Sequence, residues 1–394
     1  MIATTSANGS ERLTRLLGYL QQDPDNLALL RDAADQALQD ACWDEANTLV
    51  DAALALAPGD AVSRYRKAVI AARRRDGPAS LALTQALIDE GEQHDAVLFQ
   101  HAHALILSGR HAEADPVLES LLPRAHTLPG FDHLHVRALH GAGRLDDAIR
   151  VASGLGDDPT AQGMLSLLYT DVDRLEEGGA LAVAVLATAP DNIDALLAAG
   201  TVALAMEQPE TALPYFEQAA ASHADNGRAW MGIGLARMHR QDFTGARDAF
   251  EKTVRLIPMH LGSWNTLAWI QILQQDHMAA STTLQAAMRI DRNFGETHGT
   301  LAVLCAFEKK WTEAKHHADV ALRLQPASFA GRYAQTLLLE HQGNPESARR
   351  SLEQIMRNFK APAGGNLADV IRRRAAHQTV SPPTDTSNPH KELQ

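Results

Sequence analysis

Five alanines, Ala212, Ala246, Ala280, Ala314 and Ala348, stand 34 residues apart. A fixed period of that length means one small supersecondary unit copied many times, and it matches the length of a helix–turn–helix repeat. Prolines keep the same frame at Pro190, Pro258 and Pro326, 68 residues per step. Upstream, Ala46, Ser80, Ala114 and Ala148 hold the spacing, but Ala148 to Gly178 is only 30 residues, so the two halves are four out of register. In frame, ten units begin at Leu27, Ala61, Asp95, Pro129, Pro159, Ile193, Gly227, Leu261, Gly295 and Phe329, and the one from Pro129 is the short one.

Each unit reads as two helices. From Gly227, the residues Trp230, Ile233, Leu235 and Met238 lie on helical spacing, a break follows at Gln241-Asp242, and Phe243, Ala246, Phe250, Val254 and Ile257 form a second stripe that Pro258 ends. The eighth slot is small in most units (Ala34, Ala68, Ala102, Gly200, Gly234, Ala268, Ala302), and the twentieth is nearly always Ala. Small residues at these two slots let the helices of a unit approach closely, and a larger side chain at Ala246 would force them apart. The turns are polar or carry Gly, as in Gly109-Arg110, Gly143-Arg144 and Gly343-Asn344. No alternating Val/Ile/Thr-rich run points to a sheet.

These residues resemble the tetratricopeptide repeat family from about Leu27 to Pro362. The match is closest over 159–362, while 27–158 reads as degenerate: the unit from Ala61 lacks the usual alanine, and the unit from Pro129 is rich in Gly. The resemblance implies an all-α fold, a right-handed superhelical α-solenoid with a concave groove lined by the first helix of each unit. It also implies that the groove or an edge binds a protein or peptide. The solenoid's exposed ends need caps. Residues 1–26 are read as a tail and an N-terminal capping helix over Glu11–Gln22, 363–376 as a C-terminal capping helix, and 377–394 as a disordered tail rich in Pro, Ser and Thr.

Composition narrows the function. A net charge of −12 argues against nonspecific nucleic-acid binding. The run Arg73–Arg75 ends a first helix and is read as complementing the helix dipole rather than as a phosphate patch. No apolar run reaches the roughly 18 residues needed to cross a bilayer. The polar start is not a secretory signal, and Cys42 and Cys305 lie about eight units apart. The expected setting is therefore cytoplasmic, with no membrane insertion. Phosphate-loop, nucleophile-elbow, H-E-x-x-H and C-x-x-C motifs are missing from the sequence, so no enzyme activity and no cofactor is expected.

Eight of the 18 histidines fall between His94 and His140. His101/His103 and His133/His135 are two apart, which places each pair on different helix faces. His103, His133 and His140 could approach one another across neighbouring first helices, but the trio lacks tight ligand spacing and no metal site is expected. Under the family geometry, the second, fifth, ninth, twelfth and thirteenth slots of each first helix face the groove. They hold Phe99, His103, His133, Arg137 and His140 in the middle units and an apolar stripe from Gly227 onward. Leu235, Ile272, Val303 and Leu337 of that stripe read as core. Met231, Met238, Trp269, Leu273, Phe307 and Tyr333 are the candidate partner-binding residues, an adaptable surface of Met and aromatics. The Lys and Asn slots of relatives that clamp a C-terminal carboxylate are not filled here.

The leading expectation is a noncatalytic scaffold or adaptor that takes a partner segment in the groove. The alternative is a regulatory or chaperone-like subunit of a larger complex (secretion, pilus or polysaccharide assembly), with the Gly-rich unit Pro129–Asp158 as its hinge. A His-rich metal carrier ranks last.

Overall fold

A computed structural model describes residues 10–358. Among them every regular element is helical. The residues divide into two compact units, one running to Arg174 and the other starting at Leu175. The first holds α1 (Glu11–Leu20), the hairpins α2 (Leu27–Gln39)/α3 (Trp43–Leu56), α4 (Ala61–Arg73)/α5 (Gly77–Asp89), α6 (Asp95–Leu107)/α7 (His111–Leu121) and α8 (Phe131–Gly141)/α9 (Leu145–Ser153), and then α10 (Pro159–Asp171). The second opens with α11 (Leu175–Thr188). It continues through α12 (Ile193–Ala205)/α13 (Pro209–Ser222), α14 (Gly227–His239)/α15 (Phe243–Leu256), α16 (Leu261–Leu273)/α17 (His277–Ile290), α18 (Gly295–Phe307)/α19 (Trp311–Leu324) and α20 (Phe329–His341)/α21 (Pro345–Asn358). The segments read from sequence as a C-terminal cap and tail, 363–376 and 377–394, lie outside the described residues.

Nine of the ten first helices start at the residue the period marks. The exception is α8, which starts at Phe131 rather than Pro129, because a short 3-10 stretch over Leu122–Thr127 and a left-handed Gly130 (φ 77°) precede it. Asn, Asp and Ser side-chain caps fix six of these starts. Asn26, Asp60, Asp158, Asn192, Asn226 and Ser328 each stand just before a first helix and accept the N–H three residues on.

The turn inside each hairpin is built the same way in every unit. Its fifteenth residue is left-handed throughout: Ala41, Arg75, Gly109, Gly143, Asp173, Glu207, Gln241, Gln275, Lys309 and Gly343, with φ between 56° and 78°. The next residue's N–H reaches back five residues, as in Asp242 N to Arg237 O (2.9 Å) and Lys310 N to Cys305 O (2.8 Å). This is the Schellman closure, which satisfies carbonyls the helix end would otherwise orphan. Residues other than Gly occupy it seven times, each in a conformation that costs an L-residue about 1–2 kcal/mol.

Packing then rests on the small slots. Ala46, Ala114, Ala148, Ala212, Ala246, Ala280 and Ala314 are fully buried. Ser80 stands in for the alanine of the second hairpin because its hydroxyl donates to Ala68 O at 2.9 Å and is not left unsatisfied. In the first unit, Leu13 and Leu20 of α1 pack into one core with Leu30, Ala33, Leu49 and Ile70. In the second, α18 and α20 approach so closely that a Cβ on Gly299 would lie 2.5 Å from the Gly331 backbone nitrogen.

Gly299→Ala is therefore expected to destabilise the protein. Overpacking against backbone costs about 1–3 kcal/mol, and the gain of about 1 kcal/mol in helix propensity offsets only part of it. Gly59→Ala, where a Cβ would meet nothing within 4 Å, is the control. Urea denaturation measures both, and equal midpoints for the two variants would contradict the close approach.

Candidate functional site

The first helices of the C-terminal unit carry an aromatic platform. Trp269 of α16 meets two rings of α20, Phe329 at 6.3 Å and Tyr333 at 5.9 Å between centroids, and Phe329 and Tyr333 stack at 6.4 Å and 5°. α18 carries Gly299 at its fifth slot, where a Cβ would meet Ala330 and Gly331 of α20, so α20 lies close against α18. Glu296 of α18 fixes the far side: its carboxylate accepts the N–H groups of Phe329 (2.7 Å) and Ala330 (3.2 Å), and Ser328 Oγ accepts that of Gly331 (3.0 Å). The first turn of α20 is thus pinned by its neighbour, and with it the backbone that bears Phe329.

The structure sorts the six residues picked out in the sequence. Leu273 and Phe307 are exposed, at 58% and 45% of their surface. Trp269 and Tyr333 are half-buried and pack against the core of α18–α20. Burial pushes the Tyr333 phenol above its ordinary value, so it stays neutral and acts as a flat amphipathic surface. Met231 and Met238 pack onto Phe250, Val254 and Leu267. Phe329 belongs to the platform but was not among the candidates, since first slots were not counted as groove positions. An aromatic opening a first helix was the available signal.

In the N-terminal unit, the histidine-rich segment separates into individual roles. Among the described residues, no group of three His, Cys, Asp or Glu side chains is placed to hold a metal. His103 and His133 line one cleft, while His140 Nε2 bonds Asp171 at 2.7 Å. His133 Nε2 bonds Asp158 at 2.6 Å, and that bond holds the Asp158 carboxyl below its ordinary value. The short hairpin α8/α9 is cross-braced: the Arg144 guanidinium reaches Asp115 and Glu119 on α7 and Asp147 on α9, at 2.7–2.8 Å. These three carboxylates raise its pKa.

Residues 197–258 match the family model for the tetratricopeptide repeat. The fold is similar to that of a chain of the APC/C hetero-tetramer Cut9–Hcn1, 12% identical, over 93% of this chain and 87% of that one at a TM-score of 0.51. It is also similar to human IFIT1, solved as a dimer with m7Gppp-AAAA, 13% identical over 90% and 95% of the two chains at 0.53. BBSome complex member BBS4 of Bos taurus is 22% identical over 191 residues, 48% of this chain, and the match spans 37% of that protein. The chain thus contains tetratricopeptide repeats, and its all-helical fold is that of tetratricopeptide solenoids. No helix of the described residues is long and apolar enough to cross a membrane.

Four imidazoles of the N-terminal unit, His101, His103, His111 and His135, are held below their ordinary value, mainly by burial. With folded values depressed, the unfolded chain binds more protons once the pH falls below about 6.5. Stability should therefore drop on acidification through that window, before carboxylates titrate near 4. Urea midpoints at pH 7.5 and 5.5 measure this. A lower midpoint at 5.5, with the difference reduced in His135→Gln, is the expected result, and a flat profile contradicts it.

Proposed function

We propose that this tetratricopeptide-repeat protein is a noncatalytic scaffold that takes an apolar segment of a partner protein on the first helices of its C-terminal unit. The supporting observation is the platform of Trp269, Phe329 and Tyr333, flanked by exposed Phe307 and Leu273. Half-buried aromatic rings on a rigid support lose little freedom when covered, and they bury large apolar area. Beside them Phe307 and Leu273 are exposed, and exposed apolar patches mark interaction sites. The methionines Met231 and Met238 continue the surface with side chains that can repack around different shapes. A helix or an extended strand fits such a face equally, with alternate apolar anchors set into it.

The sequence relative BBS4 is described as a complex member, which supports membership of a larger assembly for this chain too. A reducing compartment such as the cytoplasm suits the two buried free thiols, Cys42 and Cys305.

Phe307 and Leu273 are exposed, so their replacement should spare the fold. The double variant Phe307→Ser, Leu273→Ser is expected to lose the partners recovered by affinity purification and mass spectrometry from its own cell, with helicity and melting temperature unchanged. A photo-crosslinker at position 307 should capture the same partner, and one at exposed Met278 should not. Full recovery by the double variant would refute this placement.

A further inference from the structure

A cleft of about 300 Å³ opens on the first helices of the N-terminal unit, between α4, α6 and α8. Phe99 and Leu134 form its apolar wall, and Arg73, His103, His133 and Arg137 its polar one. We propose that this cleft binds a phosphomonoester dianion carried on a small flat apolar body. The inference is separate from the partner-binding face and does not depend on it.

Charge is the first ground. The whole chain carries −12, yet the groups acting on His103 are all cationic. Burial, then Arg73, Arg137 and Arg75, hold its imidazole below the ordinary value. His101, two residues away on another face of α6, feels Glu113 and Asp89 opposing Arg110. Around His103 the cleft is therefore locally positive in an acidic protein, with the Asp158 carboxylate confined to the His133 side, and that field favours an anion.

Donor geometry is the second. A carboxylate is satisfied by one guanidinium fork. Here two guanidinium-bearing side chains and two imidazoles line a single space, and with His133 Nε2 taken by Asp158 the remaining N–H groups still outnumber those a carboxylate needs and suit the three oxygens of a phosphate. Two of these groups are already oriented: Arg73 lies over the Trp43 ring at 5.4 Å, and His133 is held by Asp158. From the sequence, Arg73 read as a helix-end cap. The structure gives the role of surface ion pairing to Arg74, which reaches Asp44, and leaves Arg73 on the cleft wall.

Size is the third. The cleft is several times larger than a phosphate group, so an apolar body can enter with it. The Phe99 ring is fixed by stacking on Phe131, at 6.2 Å and 25°, and lines the cleft, where a flat group can pack on it.

The test uses the full chain and phenyl phosphate in isothermal titration, with inorganic phosphate and benzoate as comparisons. Phenyl phosphate is expected to bind about ten-fold or more tightly than either, and Arg73→Gln to weaken it about ten-fold with melting unchanged. Arg137→Gln serves as a second variant. In NMR titration, His103 should titrate at higher pH when phenyl phosphate is bound, since the dianion stabilises the protonated ring against Arg73, Arg75 and Arg137. Benzoate binding as tightly as phenyl phosphate overturns the dianion assignment, and so does Arg73→Gln binding like the wild type or an unmoved His103. Phosphotyrosine amide and adenosine monophosphate separate the sources: tighter binding of the first indicates a modified protein, and of the second a free nucleotide. Failure of both to exceed inorganic phosphate overturns the apolar-body requirement.

Discussion

Everything in this fold depends on how near two helices can come. Fully buried alanines at the twentieth slot and small residues at the eighth slot of most units bring the two backbones of a hairpin together, and where the eighth slot is Gly200 or Gly234 the ring of Phe216 or Phe250 fills the space left. Because no unit encloses a core of its own, each apolar face must be covered by the next hairpin. The consequence for function is that each of the two compact units has a face of first helices, on which side chains at a few slots are free to vary while the supporting alanines are not. Both candidate sites use that freedom: aromatic rings in one unit, arginines and histidines in the other.

The two sites differ in how they are held. The aromatic platform is supported by a close helix approach. Gly299 lets α20 close onto α18, and Glu296 then ties the first turn of α20 in place. The cationic cleft is held by contacts from outside its walls, Trp43 beneath Arg73 and Asp158 behind His133. In both cases the residues that would meet a ligand are positioned by a neighbouring repeat, so the repeats act as pairs and threes rather than singly.

Much of this was legible in the sequence because the period is a backbone property. Helix starts follow from the frame and from Asn, Asp and Ser caps, which is why nine first helices begin where the spacing puts them. The start of α8 was missed because the 3-10 stretch before it carries no periodic signal. The left-handed turn residues were hidden, since seven of the ten are not glycine and no single residue type marks them. The site was only half visible. Slot arithmetic found Trp269 and Tyr333, but not Phe329, whose place depends on Glu296 across a helix boundary. Nor could it show that Arg73 turns into a cleft while Arg74 turns to Asp44. Such choices are made by contacts between units of the repeat, and a one-dimensional frame does not contain them.

The hairpin turns carry one more implication. In the short unit, the left-handed residue is still Gly143 and the second helix still starts in register at Leu145; the missing length comes entirely off the far end, where α9 stops at Ser153. A turn closed by two specific backbone bonds admits no insertion or deletion, whereas the joint between one hairpin and the next does. Proteins built this way can change length only at those joints, so the places where such a chain gains new reach or new curvature are fixed by its chemistry before selection acts on them.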